Sequence, residues 1–202
     1  MNTIIIVIAC VAAYLLGSVN TSIILSKLKG KDIRKEGSGN AGATNTLRVM
    51  GKKAAAIVAL FDALKGIIAV LVARLLCSSW DAPLEVYLSA LFVMLGDIYP
   101  IFFGFRGGKG VMTTIAVIFM LDWRIGLILF ALCIAIMLIT RYVSLGSCIG
   151  AALFPVLVAV FHTENTAFII ISVIIGALAI FKHRTNIARL LKGNESKLNF
   201  SK

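Results

Sequence analysis

The sequence has little charge for its length. It carries 20 basic and 9 acidic residues among 202, whereas 60% of its residues are hydrophobic and the mean hydropathy is +1.00. A soluble domain cannot bury that much apolar surface, so this class is excluded. We therefore expect an all-α integral membrane protein that forms one polytopic domain over residues 1–202.

Residues typical of several chemical sites are also scarce. The four cysteines show no CxxC spacing, which argues against a disulfide framework, and we expect neither a metal nor a cofactor. The GxSxG, HExxH and GxxxxGK[ST] signatures are absent. Met1-Asn2-Thr3 has no positive charge, so we expect no cleaved signal peptide.

Seven apolar segments alternate with polar ones and predict seven transmembrane helices. Their approximate bounds are 4–26, 54–76, 84–103, 111–121, 125–140, 144–161 and 166–181. The fourth segment is short, and whether it crosses the whole bilayer is left open. Gly17, Ser18, Asn20, Thr21 and Ser22 make the second half of the first segment polar, so that half is expected to face protein or a polar cavity.

The distribution of basic residues predicts the orientation. Loop 27–53 is the densest basic block, and we place it in the cytoplasm, with the N-terminus outside and the C-terminus cytoplasmic. Of the 20 basic residues, Arg124 alone then falls outside, and Lys65 and Arg74 lie within a span. The outer loop with Asp81 has no basic residue. Topology explains the net charge of +11, with an anionic substrate or lipid as a second source, so we expect no nucleic-acid partner.

Asp62 and Lys65 form a charge pair within the second segment. They are three residues apart and therefore share one helix face, which should turn toward the bundle interior. Two interpretations stay open: a structural ion pair that joins two helices, or a part of the functional site. No strong internal repeat supports a transporter built from inverted halves.

Three polar clusters fall on the cytoplasmic side in this topology. They are residues 37–48, 104–113 and 183–195, and their convergence on one face favours a single site. In the second cluster, a glycine-rich turn around Lys109 leads directly into a helix, which suits an anion. In the third, His183 and Asn186 share a helix face.

Together, in this order, the clusters resemble the three motifs of the bacterial PlsY family, the acyl-phosphate:glycerol-3-phosphate acyltransferases. The matching stretches are Ser38-Gly39-Asn40-x-Gly42-x-x-Asn45, Gly96-x3-Pro100 with Gly107-Gly108-Lys109-Gly110, and His183-Arg184-x-Asn186-Ile187-x-Arg189-Leu190-x-x-Gly193-x-Glu195. The His-x4-Asp signature of acyltransferases with soluble donors is absent. The sequence departs from the family at Asp97, where histidine is usual, and at Asn20, where proline is frequent.

The resemblance implies acyl transfer from a long-chain acyl phosphate to the 1-hydroxyl of sn-glycerol 3-phosphate, giving lysophosphatidic acid and phosphate. It implies a multi-pass protein of the bacterial cytoplasmic membrane, with membrane lipids and the acyl-phosphate-producing enzyme as candidate partners. The implied catalytic residues are Ser38, Lys109, His183 and Asn186. The implied substrate- and phosphate-binding residues are Gly39, Asn40, Gly42, Thr44, Asn45, Arg48, Gly107, Gly108, Gly110, Arg184 and Glu195. From the residues alone, a channel or transporter for an organic phosphate, or a structural scaffold, stays open.

Overall fold

A computed structural model describes residues 3–77 and 84–198, which form ten α-helices. The helices are α1 Thr3–Gly17, α2 Thr21–Leu28, α3 Ala43–Met50, α4 Lys52–Leu76, α5 Leu84–Ile98, α6 Val111–Leu121, α7 Trp123–Thr140, α8 Val143–Phe161, α9 Thr166–Lys182 and α10 Arg184–Leu191. Short 3₁₀ helices cover Ile33–Lys35 and Ile101–Phe103. Residues 1–2, most of the outer loop with Asp81, and residues 199–202 lie outside the described part.

Five stretches are long and apolar enough to cross a membrane. They are Thr3–Leu28, Lys52–Leu76, Leu84–Phe103, Trp123–Thr140 and Val143–Phe161. The α9–α10 pair, bent by 57°, is a possible sixth span, and α6 is a shorter apolar helix of 11 residues. At about 1.5 Å per residue, α6 is too short to cross a bilayer of about 30 Å. The seven-span count and the orientation therefore stay predictions.

The chain divides into two compact units, Met1–Leu121 and Asp122–Lys202. The first unit contains α1 to α6 around a core of alanine and valine side chains. These are Ala9, Ala13, Ala69, Val70, Ala73, Val86, Ala90, Val93 and Val117, contributed by α1, α4, α5 and α6. Small residues let membrane helices pack backbone against backbone. A Cβ on Gly17 would collide with the Val93 carbonyl, and one on Gly96 would collide with the Tyr14 carbonyl.

The first predicted segment is interrupted. α1 ends at Gly17 and α2 begins at Thr21, because Asn20 adopts an extended conformation and accepts a hydrogen bond from the Ile23 amide at 3.0 Å, as an N-cap does. The prediction that this half is not lipid-facing is confirmed for Ser18, Asn20 and Ser22, whereas Thr21 is half-buried. Ser18, Asn20 and Ser22 are at most 1% exposed.

The first basic loop contains more regular structure than a solvated loop would. α3 covers Ala43–Met50, so Thr44, Asn45 and Arg48 lie on a helix. Beneath the loop, Ile23, Ile33 and Ala41 form a buried apolar cluster, on which Val49, Met50 and Phe103 pack. The loop is ordered because it covers a core of its own.

The second unit contains α7 to α10. Asp122 caps α7 by accepting hydrogen bonds from the amides of Arg124 and Ile125 at 2.8 and 3.4 Å. α8 packs closely on its neighbours, since a Cβ on Gly176 of α9 would lie 2.5 Å from the Ala151 carbonyl oxygen. After α9, the chain turns at His183 into α10, as the helical spacing of the third cluster predicted.

Candidate functional site

Asn45 holds the first motif in its shape. Its side chain is 1% exposed, and its Oδ1 accepts a hydrogen bond from the Ser38 amide at 2.8 Å. Its Nδ2 donates to the carbonyls of Ile33 at 3.2 Å and Glu36 at 3.0 Å. The amide of Asn45 therefore closes the loop on α3. This geometry favours a supporting role over the substrate contact implied by the resemblance.

The other residues of the first motif lie nearer to the surface. Ser38, Gly39 and Arg48 are exposed, and Asn40, Gly42 and Thr44 are half-buried. The α3 helix is fixed from below by a hydrogen bond of 2.8 Å between the buried hydroxyls of Ser22 and Thr46. Polar side chains on an anchored loop can contact a ligand while the backbone behind them stays in place.

The second motif folds back onto the end of α5. The Gly107 amide donates to the Ile98 carbonyl at 3.2 Å, and the Gly108 amide donates to the Asp97 carbonyl at 3.1 Å. These two amides are thus engaged with protein. Gly110 has a φ of 74°, which favours glycine, and it turns the chain into α6 at Val111. The half-buried Lys109 lies just before a helix start, the position that suits an anion.

The first two motifs are in contact. A Cβ on Gly108 would lie only 2.5 Å from the Ala41 carbonyl oxygen. A second link joins the same regions, because Arg34 donates to the Phe103 carbonyl at 2.9 Å. Thus the first unit brings the first motif, at Ala41, against the second motif, at Gly108.

The intramembrane charge pair joins two helices. Lys65 Nζ lies 2.9 Å from Asp62 Oδ1 on its own helix and 2.5 Å from Asp97 Oδ1 on α5. The Asp62 contact is an ion pair without hydrogen-bond geometry, since Asp62 Oδ1 makes no hydrogen bond. All three residues are at most 5% exposed. The structural interpretation is therefore supported, and the sequence analysis did not predict that Asp97 takes part.

The third motif is organised around Glu195. This carboxylate is 8% exposed and accepts hydrogen bonds from Ser144 at 2.9 Å, Asn186 at 2.7 Å and Arg189 at 2.7 Å. Asn186 and His183 are buried, and His183 Nδ1 lies 2.8 Å from the Ala179 carbonyl oxygen. Arg184 is exposed, with its guanidinium 4.4 Å from the centre of the Phe181 ring.

Glu195 is held as an anion. Burial raises the pKa of this carboxyl, but hydrogen bonds from Arg189, Asn186 and Ser144 outweigh burial and lower the pKa below its ordinary value. A carboxylate would repel a phosphate, so this geometry favours a supporting role for Glu195 over direct phosphate binding.

In the first loop, hydrogen bonding from Arg34 likewise lowers the pKa of Asp32 to about 2.

Four polar residues outside the set implied by the resemblance lie beside the motifs. Ser144 contacts Glu195, and Asn20, Lys65 and Asp97 lie directly behind the first two motifs. A charged residue inside an apolar segment was the available signal for Lys65 and Asp97, and spacing alone could not pair them. The third motif lies in the second unit, and its convergence with the first two stays a prediction.

Known proteins resemble this chain over nearly its whole length. The family model for glycerol-3-phosphate acyltransferase matches residues 7–193. Glycerol-3-phosphate acyltransferases from Thermoanaerobacter pseudethanolicus and Clostridioides difficile are 46% and 43% identical to this chain in sequence. The matches cover 95% of this chain and of the first relative, and 97% of this chain and of the second.

Two solved structures have the same fold. Crystal structures of PlsY, an integral membrane glycerol 3-phosphate acyltransferase, in its glycerol 3-phosphate and lysophosphatidic acid forms, superpose with TM-scores of 0.90 and 0.86. Their sequences are 39% and 38% identical to this chain. Each match covers 96% of this chain, and the matches cover 96% and 95% of the two crystallised chains, respectively.

The fold defines a multi-pass helical membrane protein, and its polar motifs lie on loops and helix ends. The chain belongs to the glycerol-3-phosphate acyltransferase family, of the PlsY type. This membership decides in favour of an enzyme over the transporter and the scaffold that the residues alone left open.

Proposed function

We propose that the chain transfers an acyl group from a long-chain acyl phosphate to the 1-hydroxyl of sn-glycerol 3-phosphate at the cytoplasmic face of the bacterial membrane. The observation that carries this proposal is the contact between Gly108 and the Ala41 carbonyl, which unites the polar first motif with the Lys109 turn. Both proposed substrates carry phosphate, and this pair of motifs supplies cations and neutral hydrogen-bonding groups.

In the proposed reaction, the 1-hydroxyl oxygen attacks the acyl carbon, and the bond from that carbon to the phosphate oxygen breaks. Lysophosphatidic acid and inorganic phosphate are the products, and the hydroxyl proton passes to a phosphate oxygen or to a protein base. Because phosphate is a good leaving group, positioning and stabilisation of the developing oxyanion supply much of the catalysis.

The proposed roles follow from the location of each side chain. Lys109 and Arg48 hold phosphate, together with amides of the first turn of α6, and Ser38 orients a substrate oxygen. The Gly107 and Gly108 amides are engaged with α5, so these glycines serve the close approach to the first motif. His183 and Asn186, in the third motif, position the acyl phosphate or the acceptor hydroxyl.

The test is product analysis with purified protein. Acyl phosphate with glycerol 3-phosphate is expected to give lysophosphatidic acid, detected by mass spectrometry, and acyl-CoA is expected to give none. If acyl-CoA gives lysophosphatidic acid and acyl phosphate gives none, the assignment of the acyl donor is overturned. Flux of unchanged glycerol 3-phosphate into proteoliposomes, without product, would overturn the enzymatic proposal.

The site assignment has its own variants. Ser38→Ala, Lys109→Ala and His183→Ala are each expected to lower the rate about 100-fold or more, since each removes a positioning or charge-stabilising contact. Lys31→Ala, in the exposed basic loop, and His162→Ala, which changes the only other histidine, are the matched controls. Full activity in all three variants would overturn the assignment of these residues to the active site.

A further inference from the structure

A buried polar cluster lies behind the first two motifs. It consists of Asn20, Asp62, Lys65 and Asp97, which are 0%, 5%, 4% and 3% exposed. Asp97 Oδ1 is its centre: Lys65 Nζ lies 2.5 Å away, and Asn20 Nδ2 donates to it over a long 3.5 Å. Burying charges is costly, and a buried ion pair is weak evidence for stability, so such a cluster calls for another reason.

The cluster holds the second motif from both sides. On one side, the Asp97 backbone carbonyl accepts the hydrogen bond from the Gly108 amide. On the other, the Thr113 hydroxyl in the first turn of α6 donates to the Asp62 carbonyl at 3.0 Å. Since Asp62 and Asp97 both lie beside Lys65, the segment from Gly108 to Thr113 is hydrogen-bonded at both ends to residues of one cluster.

The same cluster reaches the first motif. Asn20 Nδ2 donates to the Ala41 carbonyl at 3.3 Å, and this is the carbonyl against which Gly108 packs. Lys65 Nζ also lies 3.4 Å from the Val19 carbonyl oxygen, in the break before α2. The cluster therefore connects α2, α4 and α5 at the place where the two motifs meet.

We propose that Lys65 and Asp97, with Asn20, are positioning residues for acyl transfer: they set the spacing between the first-motif loop and the Lys109 turn. This inference rests on the proposed function. Asn20 and Asp97 contact each other across the break between α1 and α2 and the end of α5. The carboxylate at position 97 acts by holding Lys65 and Asn20, without contact to substrate.

Asp97→Asn is the main test. Asparagine has nearly the same shape and keeps an acceptor for Asn20, and Lys65 stays paired with Asp62, so no charge is left alone. Because small shifts at a reacting centre have large kinetic effects, we expect kcat/KM per folded enzyme to fall roughly tenfold or more. The inhibition constant of inorganic phosphate, used as a probe of the proposed phosphate site at Lys109 and Arg48, should rise in parallel.

Glu85→Gln is the matched control. Glu85 is a carboxylate with 5% exposure on the same helix, twelve residues from Asp97 and so about 18 Å along the axis. Both substitutions replace a buried carboxylate by its amide. A merely structural role predicts that both variants alter folded yield or thermal midpoint and leave the kinetic constants alone, whereas positioning predicts a kinetic change in Asp97→Asn only.

A second variant keeps the test decisive if Asp97→Asn folds poorly. The triple substitution Asp62→Asn, Lys65→Met and Asp97→Asn removes every charge of the cluster together, so none is left unpaired. We expect folded protein with a persistent kinetic defect. Wild-type kcat/KM and phosphate inhibition in either folded variant would overturn the inference. Failure of the proposed function is distinguishable, because then the wild type itself makes no product from acyl phosphate.

Discussion

Gly108→Ala tests whether the contact between the two motifs matters for catalysis. The new Cβ would lie 2.5 Å from the Ala41 carbonyl oxygen, whereas ordinary contact begins at 3.4 Å. The backbone on one side must therefore move by about 0.9 Å, because neither partner is a flexible side chain. A misplacement near 1 Å can cost about 100-fold in rate, so we expect kcat/KM to fall by roughly that factor.

The assay compares this variant with Gly176→Ala. There the new Cβ would lie 2.5 Å from the Ala151 carbonyl oxygen, between α8 and α9, so the steric change is the same in kind and size. Each substitution should destabilise the fold by about 1–3 kcal/mol. Initial rates of lysophosphatidic acid formation are measured per mole of folded protein, with glycerol 3-phosphate varied.

The two variants should differ in kinetics and agree in stability. Equal kcat/KM values for Gly108→Ala and the wild type would refute the view that the contact between Gly108 and Ala41 fixes the position of the Lys109 turn. An equal loss in Gly176→Ala would refute it too, since general loosening would then explain both results.

Two further predictions concern the residues that support the motifs. Asn45→Ala removes three loop hydrogen bonds and should favour loop opening by about 2 kcal/mol, so tryptic cleavage after Lys35 should quicken about thirtyfold, whereas Asn194→Ala at an exposed position should not change it. Glu195→Gln should cost about 2 kcal/mol at pH 7. Folding lowers the pKa of Glu195. The ionised carboxylate therefore contributes to the free energy of unfolding above about pH 4.3, and this contribution is lost as the pH falls through the pKa of the folded protein. The wild-type thermal midpoint should therefore fall more between pH 5 and pH 3 than that of Glu195→Gln, and parallel curves would contradict this.

Apolar runs and the polar residues that bound them predicted much of the helical framework. α6 covers the predicted 111–121, and α10 follows His183 as its helical spacing indicated. Both signals are local: an apolar run bounded by polar residues, and a repeat of 3.6 residues. The break in the first segment was missed, because it depends on the Asn20 side chain capping α2, and hydropathy does not register a cap.

The sequence predicted candidate site residues but not the hydrogen bonds that they make. The motifs predicted which polar residues stand together, but Asn45 and Glu195 turn their polar groups toward nearby backbone carbonyls and neighbouring side chains. A motif records which residue types stand together and does not record which of them contact a ligand. Distinguishing the two requires the hydrogen-bond partners, which come from residues such as Ser144 that lie far away in the chain.

Lys65 separates the location of a charge along the chain from its environment. The positive-inside rule applies to loops, so a lysine inside α4 gives no orientation signal, and its spacing to Asp62 suggested a pair on one helix. The structure adds Asp97, which gives the cluster two carboxylates for one ammonium group. A pair meant only to cancel charge needs one carboxylate. The second lies at the end of α5, where its own carbonyl receives the Gly108 amide, so this excess of acid is located where it can fix the turn before Lys109.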